Sequence, residues 1–200
     1  MWFYVKQSFI AFIYLFFSAI IGFGILCIGD NLIWLKVALL VLNLGLYIVV
    51  VGATVYKDGQ DALKTRVAND IERMQIIKTG EDRPLRLKEE YKAWKGFVFG
   101  LVACIPLVFL MILHTVLILG FGANYNGAGA IAGIAYLVVF AFCRVNTAIT
   151  ITAGMYYFSL LAIPVICLTT GLAYVLGAKK IELQQERIKE KQRQIYGGKI

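Results

Sequence analysis

The chain has 200 residues, of which 60% are hydrophobic and 16% charged, and it carries a net charge of +8. Soluble domains have roughly a quarter of their residues charged, so a soluble fold is excluded. So is an independent catalytic domain outside the apolar runs, because soluble domains usually need roughly 100 residues or more.

Four apolar runs dominate: residues 8–29, 32–56, 96–121 and 155–177. A hydrocarbon core about 30 Å thick needs roughly 20 apolar residues in a helix, and each run meets that length. The first follows Lys6 and superficially resembles a secretory signal. It exceeds the roughly 7 to 15 residues of a signal core and lacks a small-residue cleavage site, so it reads as a retained span. Neither end carries a lipidation motif. Gly29, Asp30 and Asn31 are turn residues, and they make runs one and two a hairpin. In the second run, Lys36 is placed to snorkel to the surface beside Asp30, while Asn43 lies deeper, where Asn hydrogen-bonds between helices.

Between Lys57 and Lys95 lie ten of the twenty basic residues, with eight acidic ones. Lys and Arg mark the cytoplasmic side of short loops and acidic residues contribute little, so this segment is expected in the cytoplasm. Leu63, Val67, Ile71, Met74 and Ile77 recur three and four apart, which predicts an amphipathic helix starting near Asp58 and Gly59. Gly80 and Pro84 end it. A second helical piece is predicted with Leu87, Tyr91 and Trp94 on one face, running directly into the third span. Its surrounding cations, Arg86, Lys88, Lys92 and Lys95, are the candidate contacts for lipid headgroups or a protein partner.

The third run holds Gly96 and Gly100 in GxxxG spacing, Pro106 at mid-depth, and His114, the only histidine. GxxxG spacing permits close helix approach, and proline permits a bend. A fifth apolar run, residues 131–143, has 13 residues and ends before Arg144. That length suits a re-entrant or interfacial helix, though residues 126–145 would just span if the glycines and alanines before Ile131 entered the bilayer. Gly129 and Gly133 repeat the GxxxG spacing there, and Pro164 lies near the middle of the fourth run. Residues 178–200 hold seven further cations, which places the tail in the cytoplasm. Ile181, Ile188 and Ile195 are seven apart, but Gln184 and Lys191 leave the second row of a coiled-coil seam polar. A solvated charged helix is expected. Trp2, Tyr4, Trp34, Tyr56 and Trp94 fall at span ends, where amphipathic rings favour headgroup level.

Cys27, Cys104, Cys143 and Cys167 show no CxxC or Cys/His spacing and read as small packing residues, although a Cys27 to Cys143 bridge is geometrically allowed in this topology. Nucleophile elbows, P-loops, HExxH motifs and dinucleotide fingerprints are absent, and no carboxylate falls within a span. Neither catalysis nor a cofactor is expected. Polar groups in a bilayer are costly and raise a functional question, so Asn43, His114 and Arg144 form the candidate intramembrane site for moving protons or a small solute.

The sequence therefore reads as an all-α integral membrane protein. It is a four-span helical bundle in two hairpins, plus a fifth short re-entrant, interfacial or spanning helix. Residues 1–56 form the first hairpin, 57–95 a cytoplasmic amphipathic and basic segment, 96–177 the second membrane unit with the short helix near 126–145, and 178–200 a charged tail. Two hairpins flanking one cytoplasmic segment give a loose two-fold plan. The expected role is a non-catalytic accessory or scaffold subunit of the cell membrane, of bacterial cytoplasmic type, with both termini inside. Its expected partners are membrane lipids and either a protein partner or further copies of itself, not nucleic acid. An oligomeric transporter or channel component is the alternative.

Overall fold

A computed structural model of the protein describes residues 2–26, 32–80, 83–121 and 162–196. Every regular element among the described residues is helical: α1 (Trp2–Leu26), α2 (Ile33–Thr79), one 3-10 turn η1 (Leu87–Glu89), α3 (Lys95–Phe121) and α4 (Ala162–Tyr196). Three helices are long and apolar enough to cross a membrane: α1 over Tyr4–Gly22, α2, and α4 over Ile163–Ile195. The side chains of α3 are described without a gap only over Lys95–Pro106, an apolar stretch shorter than a span. The turn at residues 29–31, the fifth apolar run, Gly129, Gly133, Cys27 and Cys143 lie outside the described residues.

The sequence predicts a break between the second span and an amphipathic helix starting near Asp58. The structure has none. α2 runs unbroken for 47 residues, about 70 Å at 1.5 Å per residue. Gly59 does not interrupt it but serves a close approach. A side chain at Gly59 would collide with the carbonyl of Tyr174, and one at Gly177 with the carbonyl of Tyr56. The helix stops where predicted, with Gly80 at φ 72° donating its N–H to the Ile76 carbonyl at 2.8 Å. That left-handed conformation suits glycine.

α2 and α4 share the most extensive interface, α3 packs against α4, and α1 lies against both α2 and α3. Gly96 and Gly100 act as their spacing predicts. A Cβ on Gly96 would come within 2.5 Å of the Tyr174 Cβ, and one on Gly100 within 2.7 Å of the Cys167 Cα. Leu15, Tyr47, Val51, Phe99, Ile166 and Tyr174 fill the interior. The opposite faces of the apolar segments expose Phe9, Phe17, Val41, Val49, Leu101 and Phe109. So large an apolar surface is unfavourable in water and is matched by hydrocarbon. Pro106 lies inside α3, whereas Pro164 falls in the first turn of the described part of α4.

Candidate functional site

The structure converges at the level where the apolar segments give way to charge. Five aromatic rings connect there in series. Trp94 stacks on Tyr4 at 6.3 Å, Tyr4 tilts against Phe99 at 5.8 Å, Phe99 meets Tyr174 edge-on at 5.6 Å, and Tyr174 stacks on Tyr91 at 5.4 Å. Offset and edge-on pairs add about 1 kcal/mol each beyond burial. The series joins α1, α3, α4 and the segment before α3.

That segment is not the predicted second helix. Apart from the single turn η1, residues 83–94 run as an irregular strap along α2. Two of its backbone donors are bound by α2 and are thereby drawn away from a helical ladder: Arg86 N–H donates to Asn69 Oδ1 at 3.2 Å, and Tyr91 N–H to the Ala62 carbonyl at 3.1 Å. Arg73 of α2 pairs with Asp70 at 2.7 Å and with Glu90 of the strap at 3.1 Å. Arg83 reaches Gln75 at 3.2 Å and Glu72 at 3.6 Å. Burial pushes the Tyr91 phenol up, Glu182 adds to the rise and Arg66 opposes it, so the ring remains a neutral phenol where it stacks.

Of the four cations proposed to meet headgroups or a partner, Arg86, Lys88 and Lys92 are exposed. Lys95 is not. It is 2% exposed, and its Nζ donates to the carbonyls of Lys88 at 2.8 Å and Glu90 at 2.6 Å, with the Tyr4 ring 5.9 Å away. It closes the strap, because turning inward satisfies two carbonyls that the irregular chain leaves without a ladder. Trp94 is half-exposed beside it, and Trp34 is exposed near the other end of α2.

The strap covers the polar side of α2, at Ala62, Asn69 and Arg73; of the predicted apolar stripe, Leu63 and Val67 are partly buried and the three residues towards the helix end are bare. Ile71 is 48%, Met74 56% and Ile77 82% exposed. The stripe is present, but its distal half faces outward. The α4 tail behaves as a solvated helix, with Ile181 buried and Ile188 and Ile195 exposed.

Within the apolar segments, Asn43 is buried and uses both ends of its amide on α1. Its Nδ2 donates to the Ser18 carbonyl at 2.8 Å, and Ser18 Oγ donates to its Oδ1 at 3.3 Å. Lys36 is 1% exposed, not snorkelled as predicted, because it shares a helical face with Asn43, Tyr47 and Val51 that turns inward. His114 belongs to α3 but its side chain, like all of Arg144, lies outside the described residues. The three-residue intramembrane site is therefore represented by Asn43 alone. Cys104 and Cys167, both free thiols, are brought near one another across α3 and α4. Among the described residues no group of His, Cys, Asp and Glu is placed to hold a metal ion.

At the polar end of α1, Gln7 Nε2 donates to Asp58 Oδ1 at 3.3 Å. Asp58 lies two residues past the apolar part of α2. Burial and the neighbouring Asp61 push its carboxyl up to about 6, against the opposing effects of Lys57 and the Gln7 hydrogen bond.

Asn69, Arg73, Tyr174 and Gly177 have no place among the residues singled out by sequence, and Lys95, Tyr56 and Gly59 are singled out there for other roles than the ones they take in the strap and the crossing. One signal was available for the crossing: Tyr-x-x-Gly occurs at 56–59 and again at 174–177, each time at the polar end of an apolar run. No protein family, curated protein or solved structure matches this chain.

Proposed function

We propose that this protein is a non-catalytic accessory or scaffold subunit of a cell membrane, which carries a rigid helical arm for a soluble protein partner. The observation that supports it is the projection of α2 past its apolar part. Residues 57–79 extend the helix by roughly 35 Å, strapped along one side by residues 83–94, with Ile71, Met74 and Ile77 uncovered. Solvated apolar residues on a braced helix are the form in which a partner groove takes an amphipathic helix. Arg86, Lys88 and Lys92 at the base of the arm meet anionic headgroups. In this proposal α3 completes a fourth span, and both cation-rich ends share the cytoplasm, as the charge rule requires.

Purification of the full chain in mild detergent tests the role. A different protein in fixed stoichiometry, lost from Ile71→Glu/Met74→Glu but retained by Leu42→Ile on the lipid-facing side, is the expected result. A pure symmetric oligomer with no second protein would instead favour a transport or channel component, for which buried Lys36 and the Ser18–Asn43 pair are the supporting observation. A reporter fused after Ile200 tests the topology, with activity expected on the cytoplasmic side.

A further inference from the structure

The outer side of α4 bears a hollow of about 290 Å³ lined by Leu176, Lys179, Lys180, Leu183, Gln184 and Arg187. These residues recur at the three- and four-residue spacing of one helical face, opposite the face on which Tyr174, Ala178 and Ile181 are buried. Three cations rim the hollow, two leucines and the lysine stems floor it, and no carboxylate lines it. Glu182 instead lies on the side facing Tyr91. Lys180 is held in place by the Tyr56 ring, 5.8 Å from its Nζ.

From these features we infer that the hollow is a binding site for an anionic phospholipid. The fourth apolar run ends at Gly177, so Leu176 meets the upper acyl chain while Lys179, Lys180 and Arg187 surround the phosphate. A small free anion would gain nothing from the leucine floor, and a zwitterionic headgroup would leave the excess positive charge unmatched. The site deepens the membrane-scaffold proposal on its lipid side and rests on it only for the level of the bilayer.

Native mass spectrometry of the full-length protein in mild detergent tests the site, with palmitoyl-oleoyl phosphatidylglycerol as probe and phosphatidylcholine and water-soluble glycerophosphoglycerol as comparators. Near-surface cations contribute about fivefold each in affinity for anionic lipid. The variant Lys179→Gln/Lys180→Gln/Arg187→Gln is therefore expected to bind phosphatidylglycerol at least about tenfold more weakly. Lys179→Arg/Lys180→Arg/Arg187→Lys, which keeps the charges, and Lys64→Gln/Arg66→Gln/Lys78→Gln, which removes three exposed cations from the α2 arm away from the hollow, are expected to stay within about twofold of the parent. Three results would each overturn the inference: undiminished phosphatidylglycerol binding in the first variant, equal binding of phosphatidylcholine by the parent, or displacement of the lipid by equimolar glycerophosphoglycerol. Any of these, obtained while a stoichiometric protein partner still co-purifies, removes the lipid site and leaves the scaffold role standing; loss of the partner with the lipid preference intact does the reverse.

Discussion

Gly59 of α2 lies against the main-chain carbonyl of Tyr174 in α4, and the relationship is reciprocated, with Gly177 of α4 lying against the carbonyl of Tyr56 in α2. Each helix contributes one Tyr-x-x-Gly unit, and each glycine admits the other helix's backbone. The two longest helices are thereby locked together at the border between apolar and charged sequence, which is also where the aromatic series and the strap meet.

Backbone cannot yield as a flexible side chain does. Gly59→Ala and Gly177→Ala are each expected to destabilise the protein by about 1–3 kcal/mol through overpacking, seen as a lower unfolding midpoint in detergent. Gly45→Ala serves as the control. Nothing lies within 4 Å of a Cβ there, so it is expected to be neutral or up to about 1 kcal/mol stabilising through helix propensity.

Lys95 closes the strap through two carbonyls. Lys95→Met keeps the length of the side chain and removes the donors, which leaves those carbonyls unpaired at a cost of about 1.5–3 kcal/mol. Faster trypsin cleavage at Arg86 and Lys88, with the membrane helices still protected, is the expected outcome. Unchanged cleavage kinetics would show that Lys95 does not hold the strap.

Asn43 joins α1 to α2 through Ser18. Asn43→Ala is expected to cost about 1 kcal/mol in a detergent unfolding titration. Ser18→Ala is expected to cost less, because the main-chain acceptor of Asn43 remains.

Asp58 makes the stability of the protein pH-dependent. Its carboxyl titrates at about 6 in the folded chain against an ordinary 3.8, so between these values the folded state holds a proton that the unfolded state has released. Stability from this group is therefore full below the lower value and declines as pH rises through the higher one. Asp58→Asn retains an acceptor for Gln7 and is expected to abolish this slope and to raise the unfolding midpoint at pH 7. A parent protein with the same midpoint at pH 4.5 and pH 7, in a background where other acids are accounted for by the variant, would contradict it.

Features carried by local sequence were legible before the fold. Gly80 announced the end of α2 because a left-handed residue there favours glycine, and Gly96 and Gly100 announced a close helix contact because their spacing places both on one face. The strap was not legible: Leu87, Tyr91 and Trp94 carry a helical spacing, yet Ala62 and Asn69 of α2 bind the segment's backbone N–H groups instead. Lys95 reads as one more basic residue in a basic stretch, and only the non-helical path of the strap, which brings the Lys88 and Glu90 carbonyls to its Nζ, turns it inward. Asp58 and Gly59 read as a helix start because charge and glycine follow an apolar run, while the continuous helix is stabilised by packing on α4 that no local window contains.

The sequence by itself determined that this chain is helical and belongs in a membrane, because length and apolarity of a run act locally and independently of the rest of the fold. Tertiary structure alone decided which side of each amphipathic segment is covered. Polar anchors 17 residues apart along the chain, Asn69 with Arg86 and Arg73 with Glu90, drew the strap onto the hydrophilic side of α2 and left Ile71, Met74 and Ile77 bare. Hydrogen bonds and ion pairs are directional and select one partner, whereas hydrophobic spacing specifies only that a face be buried, not what buries it.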